Sequence, residues 1–152
     1  MSEAGQRGTT TDMEPVLGEL SEAESLGLIA QAEVGRIGFT GRFGPVVLPV
    51  NFKLVGGVII IRTEEYGSLG EDLRTGITGA DYKVAFEVDE FDPATRTGWS
   101  VMVQGGVHHV DDEAERAALL AVGVEPWAGG ERALFLRITP SLVTGRRITR
   151  GS

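Results

Sequence analysis

Cysteine is absent from the sequence, which excludes disulfides, thiolate-bound metals and thiol nucleophiles. Histidine occurs only twice and aromatic residues make up 7% of the chain, so there is little material for an imidazole-rich metal centre. Positive charge is also scarce: 14 Lys and Arg stand against 22 Asp and Glu, a formal charge of -8. Nucleic acids and anionic membranes both require a basic footprint, so neither is an expected partner. No apolar run approaches the roughly 18 residues of a membrane span, and the N-terminal stretch lacks a basic start and an apolar signal core. A cytoplasmic protein is expected. What the chain has in quantity is glycine, 22 in 152 residues, which suits many tight turns between short strands better than a helical bundle.

The length fits one domain. Residues 1–14 are small and polar and read as a disordered tail, leaving 15–150 as the folded unit. Ser21 to Glu24 has capping-box spacing, and Leu26, Ile29 and Ala30 recur at helical intervals, so a short helix is expected over Leu20 to Ala32. The period then changes to two. Val46, Leu48, Val50, Phe52 and Leu54 alternate with Val47, Pro49, Asn51 and Lys53, a strand with one partly polar face. Val34 to Thr40 precedes it across the turn-like "GRFGP", and Gly56-Gly57 separates it from Val58 to Thr63. Further alternation marks strands at Tyr82 to Asp89, Trp99 to Val110 and Ala133 to Thr139, with helices expected at Ser68 to Thr75 and Asp111 to Val122. At least six strands and few helices imply an antiparallel barrel, because closure removes exposed edges.

Candidate chemistry is sparse. In "IIIRTEEYGSLGED" (Ile59 to Asp72), Arg62 and Thr63 close a strand and Gly67-Ser68 can open a helix whose free N–H groups accept an anion; the other reading is an exposed arginine paired to Glu64 or Glu65. His108 and His109, adjacent in a strand, face opposite sides of the sheet and cannot jointly bind one metal; no metal is expected. No Gly-x-Ser-x-Gly elbow is present. Trp99 and Ser100 likewise stand on opposite faces, Trp99 on the apolar parity as core, dimer contact or ligand platform.

Several separated pieces, in order, resemble the flavin-binding split barrels of the pyridoxamine 5'-phosphate oxidase-like family, in its small actinobacterial-type branch. They are "VGRIGFTG" and "VVLPVNF" (Val34 to Phe52), "IIIRT" with "GS" (Ile59 to Ser68), "VAFEVDEFD" (Val84 to Asp92), "GWSVMVQG" (Gly98 to Gly105) and "TGRRI" (Thr144 to Ile148). The resemblance implies a mainly β fold, a six-stranded antiparallel split β-barrel with a few short helices, forming a homodimer with flavin mononucleotide (FMN) between subunits. By matching motif, Pro49, Val50, Asn51 and Phe52 would line the flavin ring, Arg62, Thr63 and Ser68 would meet the phosphate, and Trp99 and Ser100 would reach the ring from the partner subunit. Acids (Glu71 and Asp72) stand where many relatives carry positive charge after the Gly-Ser, and the C-terminal arginine and histidine signature of true pyridoxamine phosphate oxidases is absent. The resemblance names no catalytic acid or base, so the chemistry would come from the flavin. The expected activity is an FMN-dependent oxidoreductase passing hydride to a small conjugated or quinone-like substrate. A reductase using the deazaflavin cofactor F420, or a non-catalytic barrel holding heme, flavin or another planar ligand, are the alternatives.

Overall fold

The structure, a computed structural model, describes residues 14–41, 43–64, 82–123 and 133–150. Its elements in chain order are β1 (Pro15–Leu20), α1 (Glu22–Ile29), β2 (Val34–Gly41), β3 (Gly44–Val55), β4 (Val58–Glu64), β5 (Tyr82–Asp92), β6 (Thr97–His109), α2 (Glu113–Val122) and β7 (Ala133–Arg150). All pairings are antiparallel, in the order β1-β7-β4-β3-β2-β5-β6, with β6 returning to β7. Strands β2 to β7 thus form a closed ring of six, the barrel that alternation and glycine-rich turns led one to expect. β1 is an addition, lying along the C-terminal half of β7 from Pro15 opposite Arg150 to Leu20 opposite Gly145. The tail expected over residues 1–14 and the helix expected at Ser68 to Thr75 lie outside the described residues, apart from Glu14.

The period-two pattern sorts side chains cleanly. Ile37, Phe39, Val50, Phe52, Ile59, Ile61, Val84, Phe86, Val88, Val101, Val103, Val107, Leu136 and Ile138 fill the interior with Ile29 of α1. Phe52 and Phe86 meet edge to face at 4.8 Å between centroids, the favoured arrangement for two ring quadrupoles. Helix α1 is fixed at its start by a reciprocal capping box: Ser21 N donates to Glu24 Oε1 at 2.8 Å and Glu24 N donates to Ser21 Oγ at 3.1 Å. It is shorter than its apolar spacing suggested because Leu20 is claimed by β1. A second, outer cluster of Ile60, Val110, Leu119 and Phe135 seats α2 against β4 and β7. Among the described residues no helix is long and apolar enough to cross a membrane.

Two glycine sites explain how the ring closes. Gly56 and Gly57 both have positive φ, 58° and 80°, as the two-residue β3–β4 turn requires. At Gly105 the β6–β7 register shifts, from Gln104 opposite Leu142 to Gly105 opposite Pro140. Ser141 is the extra residue of this bulge, and its Oγ donates to the Gln104 carbonyl at 3.0 Å. Pro140 suggests a strand end in the sequence, yet the bulge carries β7 past it. A methyl group on Gly105 would overlap the Thr139 carbonyl. Gly105→Ala is therefore expected to destabilise the fold by about 1–3 kcal/mol, read as a lower urea midpoint with an unchanged m-value.

Candidate functional site

Alternation assigns each residue to the inside or outside of the ring, and that assignment builds the site. On β3, Val50 and Phe52 are buried in the core while Pro49 and Asn51 stand outside. Val50 and Phe52 could therefore meet an external ligand only through backbone atoms, and the Phe52 N–H already donates to the Glu33 carbonyl at 3.1 Å. Asn51 is the cross-strand partner of Arg62 on β4, so an amide and a guanidinium stand side by side with Cβ atoms about 5 Å apart. The Asn51 Nδ2 also donates to the Glu33 carbonyl at 3.5 Å, a long bond that tethers the amide to the segment before β2. The Arg62 guanidinium lies over the Phe135 ring, 5.9 Å from its centroid, and Arg116 of α2 lies over the same ring at 5.7 Å. An aromatic face thus stabilises two cations on a chain whose net charge is negative. Thr63 follows Arg62 in β4 with its backbone paired to Leu134. Ser68 lies outside the described residues.

The other half of the expected site is on β6. Ser100 faces outward, between Asp89 of β5 and Arg146 of β7. Trp99 faces the other way: half-buried, it packs against the barrel core at one mouth. There it helps line a cleft of about 410 Å³ with Leu28, Ala32, Val34 and Val88. It also borders a second cleft of about 560 Å³ with Phe91, Pro93 and Arg147. The structure therefore brings Pro49, Asn51 and Arg62 together on one stretch of outer surface, and places Ser100 on another. Between them lie β2 and β5. Three inter-strand steps of about 4.8 Å put Asn51 and Ser100 roughly 14 Å apart around the ring. His108 and His109 stand opposite Arg137 and Leu136 of β7, and among the described residues no three His, Asp or Glu side chains gather as a metal site.

The sequence profile of the pyridoxamine 5'-phosphate oxidase family matches residues 21–147, which spans the barrel from the start of α1 into the last part of β7. The chain belongs to that family. An uncharacterised protein of Mycobacterium tuberculosis is 34% identical over 152 residues, all of this chain and 98% of that one. A solved structure from Corynebacterium glutamicum, provisionally named a pyridoxamine 5'-phosphate oxidase, superposes with a TM-score of 0.72 at 27% identity, covering 90% of this chain and 96% of that one. An FAD-binding protein from Mycobacterium smegmatis superposes at 0.63 with 27% identity, covering 87% and 98%.

Sequence reasoning missed one feature of this pyridoxamine 5'-phosphate oxidase family barrel. Arg36 of β2 is shared between two carboxylates of β5: its Nη1 is 3.5 Å from Glu87 Oε1 and 3.6 Å from Asp89 Oδ2. The signal for half of it was present, since "FEVDE" puts Glu87 and Asp89 on one face; the register that delivers Arg36 was not. Burial and the neighbouring Asp89 carboxyl push Glu87 up to about 7, against a pull downward from Arg36. A carboxyl raised above its ordinary 4.5 binds more protons folded than unfolded, so its stabilising contribution is complete below 4.5 and is lost as pH rises through about 7. With 35% of the side chain exposed, solvent screening reduces the effect to the order of 1 kcal/mol. The parent chain is therefore expected to lose thermal midpoint between pH 4.5 and 7.5, and Glu87→Gln to flatten that fall.

Proposed function

We propose that this chain is a flavin-dependent oxidoreductase acting as a homodimer, with FMN held in clefts that two copies build together and hydride passed to a small conjugated or quinone-like substrate. The observation that carries the reading is the split placement of polar groups on the outer surface: Asn51 beside Arg62 on β3–β4, and Ser100 on β6. Separated by the two strands β2 and β5, they cannot close around one ring within a single barrel, but the Ser100 face of a second copy can cover the Asn51 face of the first. Family membership and the FAD-binding relative from Mycobacterium smegmatis support flavin as the ligand class.

The residues fit such a group. Asn51 and the exposed backbone edge beside Pro49 offer hydrogen bonds to the polar rim of a planar heterocycle. The Arg62 guanidinium, lying over the Phe135 ring, supplies a cation for a phosphate, with the backbone of Thr63 next to it. Ser100 of the second copy adds a hydroxyl, and its barrel wall excludes water from the enclosed ring. A bound flavin supplies the two-electron chemistry, so the chain's own task is to bind, orient and desolvate.

FAD is the specific rival to FMN, because the Mycobacterium smegmatis relative is an FAD-binding protein. Titration of the purified chain with FMN, FAD and F420, followed by flavin fluorescence, decides among them. FMN is expected to bind at micromolar concentration or tighter. Arg62→Ala should weaken it about ten- to a hundredfold through loss of a charge-assisted contact. No saturable binding of any of the three would defeat the oxidoreductase reading, and full affinity in the Arg62→Ala chain would remove the phosphate assignment alone.

A further inference from the structure

The outer face that a second copy would cover can be laid out in cross-strand rows. One row runs Val47, Gly38, Ala85, Gln104 and Leu142; the next runs Pro49, Arg36, Glu87, Met102 and Thr144. Val47 is 67% and Leu142 48% exposed, while Gly38 and Ala85 keep the centre of the first row low and flat. Such a face is mostly apolar or small, continuous across five strands, and suited to pairing with its own copy. The middle of the second row carries Arg36 and Glu87, which form a charged cluster with Asp89 of the adjoining row. Two carboxylates share one guanidinium, so the cluster carries one uncompensated negative charge when both are ionised.

We propose that the Arg36, Glu87 and Asp89 cluster makes pairing of two copies proton-linked, each copy taking up a proton as the faces close and releasing it as they part. The inference rests on the homodimer reading given above and states how that same shared cleft is regulated. Closing the interface brings two such clusters under one low-dielectric surface, where an uncompensated charge on each side is costly. A proton on Glu87 removes that charge and leaves one carboxylate for Arg36. The groups that face Glu87 agree with this assignment. From β2 comes Arg36; from β5, Asp89 on one side and Ala85 on the other, with Lys83 one further position away; from β6, uncharged Met102. Arg146 of β7 stands beyond Ser100, and among the described residues no second cation is paired with the two carboxylates. In the separate chain Glu87 is already raised to about 7 by burial and Asp89, and further burial moves it in the same direction. Proton uptake on pairing therefore falls in the window above about pH 7, and association weakens as pH rises through it. A cofactor held between copies would be released along the same gradient.

Sedimentation velocity on the full chain at pH 6.5, 7 and 8.5, at constant ionic strength, reads the dimer dissociation constant directly. It should change little between pH 6.5 and 7 and rise about tenfold or more by pH 8.5. Glu87→Gln, neutral and of the same shape, should hold the dimer with a nearly constant dissociation constant across that range. Met102→Glu, placing a carboxylate beside the cluster, should be monomeric at every pH while keeping the parent's circular dichroism. A parent dimer insensitive to pH, a Glu87→Gln dimer with the parent's slope, or a dimeric Met102→Glu chain each overturns the proton linkage while leaving a homodimer standing. A parent chain monomeric at all three pH values overturns the homodimer reading, and the linkage with it.

Discussion

Strand β7 is the member on which the rest of the barrel depends, because it is paired along both edges. Its first six residues pair with β4, its last six with β1, and residues 136–148 with β6. An antiparallel meander ordinarily ends with two bare edges that invite other chains. Here the last 18-residue strand joins the two ends of the meander, and a ring results. The price is one irregularity, the bulge at Gln104 and Gly105, which lets a proline-containing strand turn the corner without breaking the ladder.

Closure has a functional consequence as well as a structural one. Every strand acquires a buried inner face and an outer face, and residues of odd and even position are separated without ambiguity. Val50 and Phe52 become core; Pro49, Asn51 and Arg62 become surface; Trp99 goes to the barrel mouth and Ser100 to the outer wall. The same partition brings Arg36 and Glu87 into one outer row, with Asp89 in the row beside it. Helix α2 covers part of the outside and its cluster with Phe135 steadies Arg62, so the phosphate candidate rests on packed structure rather than on a loop.

Much of this was legible in the sequence because period two is a strong signal wherever one face is apolar. The six ring strands and the outward parity of Asn51 and Ser100 follow from alternation alone. The family is likewise legible in the ordered motifs from Val34 to Ile148. What alternation does not contain is pairing. Nothing local in "PVLGEL" marks Pro15 to Leu20 as a partner for residues 145–150, since most of that strand is exposed and held by backbone bonds. Pro140 argues for a strand end, and only the bulge opposite Gly105 shows otherwise. The meeting of Arg36 with Glu87 and Asp89 is a matter of register between strands some 50 positions apart, which a single chain of letters does not state. Ser68, part of the expected phosphate cradle, falls outside the described residues.

The central claim is that the flavin cleft is assembled from the Asn51 and Arg62 half of one copy and the Ser100 half of another. Complementation tests it most directly. Arg62→Ala and Ser100→Phe chains, each impaired in a different half, are mixed in equal amounts, allowed to exchange, and titrated with the flavin that the parent binds. A shared site predicts that mixed dimers recover one intact cleft each, so that about a quarter of all sites bind with parental affinity. Recovery of none, with both variants individually impaired and exchange demonstrated, would mean that the cleft belongs to a single chain and would contradict the account.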